Sequence, residues 1–152
     1  MTETPALPSD DLLTACRRLA RSMDLFEEAA CAALGVGRSD LRALNLLEHG
    51  PLGPSALADA LGLSRAAVTA LLDRLEAAGY VSRTPAPGSR RAVHVHLEPS
   101  TWAAFARVYR PVGERVRSVG NALGEDDRRA ATAVLRTLAG TFDDVRGELS
   151  GG

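Results

Sequence analysis

Apolar residues recur at intervals of three and four over three long segments of the chain. This spacing places them on one face of an α-helix. The segments are residues 12–33, 102–123 and 131–149. Their apolar positions are Leu12, Cys16, Leu19, Met23, Phe26, Ala30 and Ala33 in the first, Trp102, Phe105, Tyr109, Val112, Val116, Val119 and Leu123 in the second, and Ala131, Leu135, Leu138, Phe142, Val145 and Leu149 in the third. The pattern predicts three long amphipathic helices, each with one face that packs against another helix.

Residues that cap or break helices predict where these segments begin and end. We expect Ser9 or Asp10 to cap the first helix and the Gly-Val-Gly sequence at 35–37 to end it. The second helix contains Pro111, which lacks the backbone donor of a helix interior, so we expect a bend near Arg107. A glycine and three acidic residues open the third helix, where negative charge stabilises the helix N-terminus.

The middle of the chain predicts three shorter helices. We expect Ser39 to cap a helix that runs to His49, and Pro54 to occupy the first position of the next helix. Ser64 caps the third of these helices, which follows the second after a short turn at Gly62. The buried face of the third helix has helical spacing at Val68, Leu71, Leu72 and Leu75. Two short helices joined by a glycine turn are typical of a helix-turn-helix.

A β-hairpin is predicted directly after these helices. The sequences YVSRT and AVHVHL alternate with the period of strands, and a segment with two prolines and a glycine separates them. In this position such a hairpin is called a wing. Arg90 and Arg91 lie near its tip, where they cannot build a core, and we expect them to reach an anionic partner.

The composition fits one mainly α-helical domain rather than a sheet sandwich. The chain has 152 residues, of which 45% are apolar and 4% aromatic. We expect a winged helix-turn-helix core with a two-stranded β-wing at residues 35–97, flanked by long dimerisation helices at 1–34 and 98–152. The apolar faces of these flanking helices are too extensive for the small core to cover, so we predict an intertwined homodimer.

Charge is distributed unevenly along the chain, whose formal net charge is −1. Residues 1–50 carry five arginines and eight acidic residues, a net charge of −3. Residues 51–97 carry five arginines and three acidic residues, a net charge of +2, and the remaining residues are neutral as a group. A mildly basic centre between an acidic and a neutral flank is typical of a region that reads nucleic acid.

No apolar run approaches the roughly 18 residues of a membrane span. The sequence MTETPALPSDD has neither the basic nor the apolar region of a secretory signal, so we expect a cytoplasmic protein without a membrane partner. Its two cysteines are expected to stay reduced. We find no nucleophile elbow, phosphate-binding loop or paired carboxylates in an apolar setting, so we expect neither catalysis nor a cofactor.

The sequence GPLGPSALADALGLSRAAVTALLDRLEAAGYVSRTPAPGSRRAVHVHL, residues 50–97, resembles the MarR family of winged-helix transcription regulators. The order of long helices on either side is also similar to this family. The resemblance implies a homodimer whose protomers each present a recognition helix and a wing to double-stranded DNA. We interpret the chain as a sequence-specific regulator, acting as a repressor on a pseudo-palindromic operator.

The resemblance also implies which residues of the recognition helix contact DNA. Ser64, Arg65 and Thr69 match family positions on the groove side, where Arg can bond guanine and Thr can contact a base or a phosphate. Ala66 and Ala70 stand where family members often carry polar residues, and they offer apolar contact with a thymine methyl group. Direct base readout by this helix is therefore expected to be sparse.

The wing and the preceding helix are expected to add further contacts with DNA. Ser89 occupies a position where the family commonly has an Asp before two basic residues. We expect Arg90 to enter the minor groove and Arg91 to contact a phosphate or brace the hairpin. Ser55 is expected to offer its hydroxyl to the DNA backbone.

Members of the family often bind small aromatic or phenolic ligands between the dimerisation helices and the winged-helix core. By this resemblance, a ligand cleft would be lined by Met23, Phe26, Trp102, Phe105 and Tyr109. The same spacing equally describes the interior of a dimer, and both interpretations stay open. A ligand would act by favouring a dimer whose recognition helices have the wrong separation.

Five other residues have simpler interpretations. Cys16 lies near the position of an oxidant-sensing thiol in some family members, but its place on the apolar face favours packing. His94 and His96 share a strand face without a third ligand, so we expect no metal site. Asp73 and Arg74 are expected to serve in a structural ion pair. Two other function classes stay open: a winged-helix module that docks on a protein, and a cysteine-based redox-responsive regulator.

Overall fold

A computed structural model describes residues 10–89 and 91–150 of the chain. The described part consists mainly of α-helices with one two-stranded antiparallel sheet, which confirms the predicted fold class. The chain divides into two compact units between Val108 and Tyr109, inside one long helix. The predicted domain boundaries at residues 34 and 97 follow helix ends rather than this division, and they stay predictions.

Helix α1 spans Asp11–Leu34 and begins and ends where the capping residues predict. The Asp10 side chain accepts a hydrogen bond of 2.6 Å from the backbone N–H of Leu13, as expected of an N-cap. Ser9, the alternative cap, lies outside the described residues. Gly35 ends the helix with a φ of 67°, a left-handed conformation that favours glycine.

Helix α2 spans Arg38–Leu47, and the prediction for its ends was wrong. The residue before the helix is Gly37, and the backbone N–H of Gly37 donates to Asp40 Oδ2 at 3.3 Å. Asp40, three residues after Gly37, therefore caps the helix instead of Ser39. Its carboxylate reaches back to a backbone N–H at the start of the helix. The helix ends at Leu47 rather than at His49.

Helices α3, Pro54–Leu61, and α4, Arg65–Ala77, form the predicted helix-turn-helix. Pro54 occupies the first turn of α3, where a missing N–H costs nothing. Gly62 has a φ of 65° and makes the sharp turn between the helices. The two helices meet at a bend of 112°.

The wing consists of strand β1, Val81–Pro85, and strand β2, Val93–Leu97, paired antiparallel. Val81 lies opposite Leu97 at the base of the hairpin, and Pro85 lies opposite Val93 towards its tip. Leu52 adds a single bridge on the other edge of β2, with backbone hydrogen bonds of 3.2 and 2.9 Å to Val95. The base of the wing is thus tied into the core.

The core of the first unit is built by apolar side chains from every element of the winged helix. The four positions predicted on the buried face of α4 are all buried. The largest fully buried side chains are Phe105, Leu41, Leu44, Leu47, Leu57, Leu72, Leu75, Val68, Val81 and Val95. The core therefore holds α4 against α2 and α3 and leaves its other face to solvent.

Helix α5 spans Pro99–Ala122 and helix α6 spans Glu125–Ser150. The second unit contains the end of α5 and all of α6. Pro111 lies inside an uninterrupted α5, and the bend expected near Arg107 stays a prediction. Between residues 125 and 149, Leu138 is half-buried and the other side chains are exposed. Among the described residues, no single helix is long and apolar enough to cross a membrane.

Candidate nucleic-acid interface

Helix α4 exposes the face that the sequence assigned to DNA. The buried face of the helix faces the core, and the residues of the predicted groove side lie opposite. All five of them are exposed: Ser64, Arg65, Ala66, Thr69 and Ala70. The exposed face begins at the N-terminus of the helix, where backbone N–H groups and the helix dipole favour a phosphate.

Two hydroxyl groups on this face are engaged with the α4 backbone. Ser64 Oγ accepts a hydrogen bond of 3.2 Å from the N–H of Ala67, which confirms the predicted N-cap. Thr69 Oγ1 donates to the carbonyl of Arg65 at 2.9 Å. Ser64 keeps its hydroxyl proton and Thr69 keeps oxygen lone pairs for a further partner. Arg65, the first residue of the helix, supplies the positive charge on this face.

At the tip of the wing, the Ser89 side chain bonds backbone N–H groups rather than an arginine side chain. Ser89 Oγ accepts from the N–H groups of Arg91, at 3.3 Å, and Ala92, at 3.0 Å. The serine thus caps the turn, while an Asp at this position is expected to orient a guanidinium group. Arg91 is exposed at the tip. Arg90, expected in the minor groove, lies outside the described residues.

An ionic contact that the sequence did not predict joins the wing to α4. Arg83 on β1 bonds Asp73 at 2.7 Å and also bonds Glu76, and both acidic residues lie on α4. Burial lowers the pKa of Arg83, but the hydrogen bond to Asp73 and the charges of both carboxylates outweigh it and raise the pKa above its usual value. The guanidinium group therefore stays charged and couples the wing to α4.

Asp73 and Arg74 do take part in ion pairs, but not with each other. Arg74 Nη2 lies 2.5 Å from Oδ1 of Asp40, whose side chain is 11% exposed. The hydrogen bond and the charge of Asp40 raise the pKa of Arg74. Residues adjacent in α4 point in directions 100° apart, which is why Asp73 meets the wing and Arg74 meets α2.

The residues of the predicted ligand cleft differ widely in exposure. Met23 and Trp102 are exposed, and Phe26 is half-buried. Phe105 is 1% exposed and packs in the core of the first unit. Tyr109 is half-buried and is the first residue of the second unit. The cleft stays a prediction.

The remaining candidates lie on α1, on the wing and on α3. Cys16 and Cys31 are free thiols, both half-buried on α1. The ring of His96 contacts Thr84 Oγ1 across the wing. Within residues 10–89 and 91–150, no group of three His, Cys, Asp or Glu side chains is placed to hold a metal ion. Ser55, the candidate contact to the DNA backbone, is exposed in the first turn of α3.

Sequence comparison matches the central part of the chain to a known family. Residues 34–92 match the sequence profile of the MarR family. Over 99 residues the chain is 39% identical to YcgE of Bacillus subtilis, described as an uncharacterized HTH-type transcriptional regulator. The aligned part is 64% of this chain and 64% of that protein, so the chain spans slightly less than two thirds of its relative.

Comparison of structures finds the same fold in several solved proteins. NadR in complex with 4-hydroxyphenylacetate gives a TM-score of 0.62 at 23% identity, covering 91% of this chain and 98% of that one. A variant of MepR from S. aureus bound to an oligodeoxyribonucleotide gives a TM-score of 0.58 at 17% identity, covering 88% of this chain and 99% of that one. At these identities the likeness concerns the fold.

Proposed function

The chain belongs to the MarR family, and from that premise we propose that it is a homodimeric transcriptional regulator that binds a pseudo-palindromic DNA duplex. Each protomer inserts the exposed face of α4 into the major groove and lays its wing along the adjacent backbone. Bound to an operator, the dimer represses transcription. The two α4 helices contact half-sites roughly one helical turn apart.

The observation that carries this proposal is that the N-terminal residues of α4 are exposed, while the opposite face of the helix is buried in the core. Ser64, Arg65 and Thr69 are the polar residues on that face that match the family. The Arg83 contacts hold the wing beside it. An exposed helix N-terminus with a basic residue suits the negatively charged DNA backbone. The oligodeoxyribonucleotide complex of the MepR variant, which shares the fold, supports the same mode of binding.

The dimer is supported by apolar side chains that the chain leaves exposed on its long helices. On α1, Leu12, Leu19 and Met23 are exposed at helical spacing. On α6, Phe142 is 64% and Leu149 is 81% exposed. Apolar faces this long are typical of subunit interfaces, and a second copy of the same chain covers them with a self-complementary surface.

Control by an aromatic acid is part of the same proposal. It is supported by the fold shared with NadR, which was solved with 4-hydroxyphenylacetate, and by the exposed aromatic side chain of Trp102. Trp102 is the only tryptophan of the chain, so its fluorescence reports on one site. Titration with 4-hydroxyphenylacetate is expected to change this fluorescence and to lower DNA affinity in parallel. A fluorescence and DNA affinity that both stay constant contradict effector control.

The DNA-binding proposal is tested by selecting duplexes from a random library and measuring affinity by fluorescence anisotropy at several salt concentrations. We expect a selected sequence with two inverted half-sites, and an affinity that falls steeply as salt rises. The control is Arg146→Ala on α6. It removes the same charge as Arg65→Ala on α4 and is expected to leave the affinity for DNA unchanged. Failure to enrich any duplex at low salt contradicts the proposal.

One observation favours a second candidate, a winged helix that docks on a protein partner. Ala66, Ala67 and Ala70 are all exposed on α4, and the formal net charge of the chain is −1. Alanine side chains form no hydrogen bonds with base edges, so they add little to sequence readout in the major groove. Binding to DNA that is weak, independent of sequence and insensitive to Arg65→Ala is the result that favours this candidate.

A further inference from the structure

Tyr80, three residues after the last residue of α4, is held to that helix by the turn that ends it. Gly79 has a φ of +76°, and its N–H donates to the carbonyl of Glu76 at 3.0 Å. The N–H of Tyr80 donates to the carbonyl of Leu75 at 2.9 Å. These two bonds form the turn that ends a helix with a left-handed glycine. Tyr80 therefore moves with the recognition helix.

The side chain of Tyr80 reaches the end of α1. Its hydroxyl donates to the carbonyl of Leu34 at 2.6 Å. Leu34 is the last residue of α1, where carbonyl groups have no partner inside the helix. The next residue, Gly35, packs closely on this contact, because a Cβ built there would lie 3.5 Å from the Tyr80 hydroxyl.

A second contact reaches the start of α2 from the same helix. Arg74 Nη2 lies 2.5 Å from Asp40 Oδ1, and Asp40 Oδ2 accepts from the N–H of Gly37. Residues 35–37 form the joint between α1 and α2. The side chains of Tyr80 and of Arg74 on α4 thus hold the two ends of this joint. Glycine at each end of the joint allows more backbone conformations than other residues would, and these side-chain contacts restrict them.

Tyr80 also ties α4 to the beginning of α5. The Tyr80 carbonyl accepts from the N–H of Glu98 at 3.0 Å and from Thr101 Oγ1 at 2.8 Å. Thr101 is buried in the first turn of α5. One residue therefore connects the recognition helix to the end of α1 and to the start of α5, the two long helices that border the winged-helix core.

We propose that Tyr80, Arg74 and Asp40 form a clamp that makes the direction of α4 follow the direction of α1. These three are positioning residues and make no contact with DNA. The inference rests on the proposed function, because in a homodimer the direction of α1 decides how far apart the two recognition helices lie. The clamp then determines which separation of half-sites the dimer accepts.

The test uses the duplex selected by the wild-type protein, variants of it with the half-sites moved by one and two base pairs, and a single half-site. Tyr80→Phe keeps the ring and removes the bond to Leu34, and Asp40→Asn weakens the bond to Arg74. Thr141→Val is the control, because it removes a hydroxyl that bonds a carbonyl within its own helix, Thr137 at 3.0 Å. Affinities are measured by fluorescence anisotropy.

We expect the affinity ratio between the selected and the shifted spacings to fall by roughly 2- to 30-fold in Tyr80→Phe and in Asp40→Asn. Affinity for the single half-site is expected to stay at the wild-type value, because α4 itself is intact. An unchanged spacing profile in both variants overturns the inference. Equal losses on every duplex overturn it as well, because they indicate a loss of folded protein rather than of positioning.

Hydrogen exchange separates this inference from the proposed function. The backbone N–H groups of residues 35–37 are expected to exchange faster in Tyr80→Phe than in Thr141→Val, because the joint is released. If the wild type binds no duplex, the proposed function fails while this measurement still tests the clamp. Equal exchange rates at the joint in the two variants overturn the clamp whatever the DNA result.

Discussion

Helices α4 and α6 are both amphipathic, yet only α4 has its apolar face covered within the chain. Leu72 on α4 is fully buried, whereas Phe142 on α6 is 64% exposed. The same helical periodicity therefore produces a core helix in one unit and an uncovered face in the other. Periodicity tells which residues share a face, and the surrounding elements decide whether that face is buried.

Phe142→Ser is expected to have the largest effect of the changes that test this comparison. Burial of a phenyl group contributes about 2 kcal/mol, and a two-fold symmetric dimer contains it twice, roughly 4 kcal/mol. The dissociation constant of the dimer should therefore rise by roughly a thousandfold. Sedimentation equilibrium over a range of protein concentrations measures it.

The control for this change is Asp144→Ser, on another side of α6. It is expected to leave the dissociation constant at the wild-type value, because an exposed carboxylate there buries no apolar surface. If Phe142→Ser and Asp144→Ser form dimers as tightly as the wild type, the apolar face of α6 is not the subunit interface.

Leu72→Ala is expected to act on folding rather than on assembly. Removing a fully buried leucine leaves a cavity and should lower the free energy of unfolding by about 2–5 kcal/mol. Urea unfolding followed by circular dichroism measures the change. Leu135→Ala makes the same chemical change at an exposed position of α6. An equal loss in the two variants at a protein concentration where both are monomeric would falsify the distinction drawn between these helices.

Arg65→Ala is expected to weaken binding to the selected duplex by about 1–3 kcal/mol and to relax base preference in that half-site. The reason is that Arg65 is the one basic residue among the five groove-side positions of α4. Anisotropy titrations with the selected duplex and with duplexes altered at single positions measure both effects. Arg146→Ala serves again as the control, and a loss that is equal on all duplexes would assign Arg65 to a phosphate.

Two substitutions of Ser64 distinguish a capping role from a contact with DNA. They are expected to have the smallest effects of all these substitutions. Ser64→Ala removes the N-cap of α4 and should cost about 1 kcal/mol of folding free energy, whereas Ser64→Gly should cost only a few tenths of that amount. Thermal unfolding measures this difference. A hydroxyl that contacts phosphate is lost in both variants, so equal weakening of DNA binding by the two points to contact, and weakening by Ser64→Ala alone points to the cap.

Much of the candidate interface was predictable because its parts are local. Ser64 and Pro54 mark helix starts by their own chemistry, and the buried positions of α4 follow from spacing alone. The cap of α2 was missed because an Asp inside the helix competes with a serine nearer its start, and both are common capping residues. Asp40 provides the cap in the structure, where its other carboxylate oxygen bonds Arg74.

The contacts that orient the interface were not predictable in this way. Arg83 meets Asp73 and Glu76, and Tyr80 meets Leu34, although 7 to 46 residues separate these partners. The sequence held one signal for the Arg83 contacts: two acidic residues three positions apart on α4, followed by an arginine in the first strand. That signal has meaning only once the direction of β1 relative to α4 is known.

The amino-acid sequence was enough to specify the order of the helices, most of their ends, the wing and the exposed face of α4. These features depend on residues within a few positions of one another. Packing alone decided which charged side chains pair, that Tyr80 joins three helices, and that α6 keeps its apolar face uncovered. Those outcomes depend on distances between elements, and the core sets these distances when it brings residues far apart in sequence together.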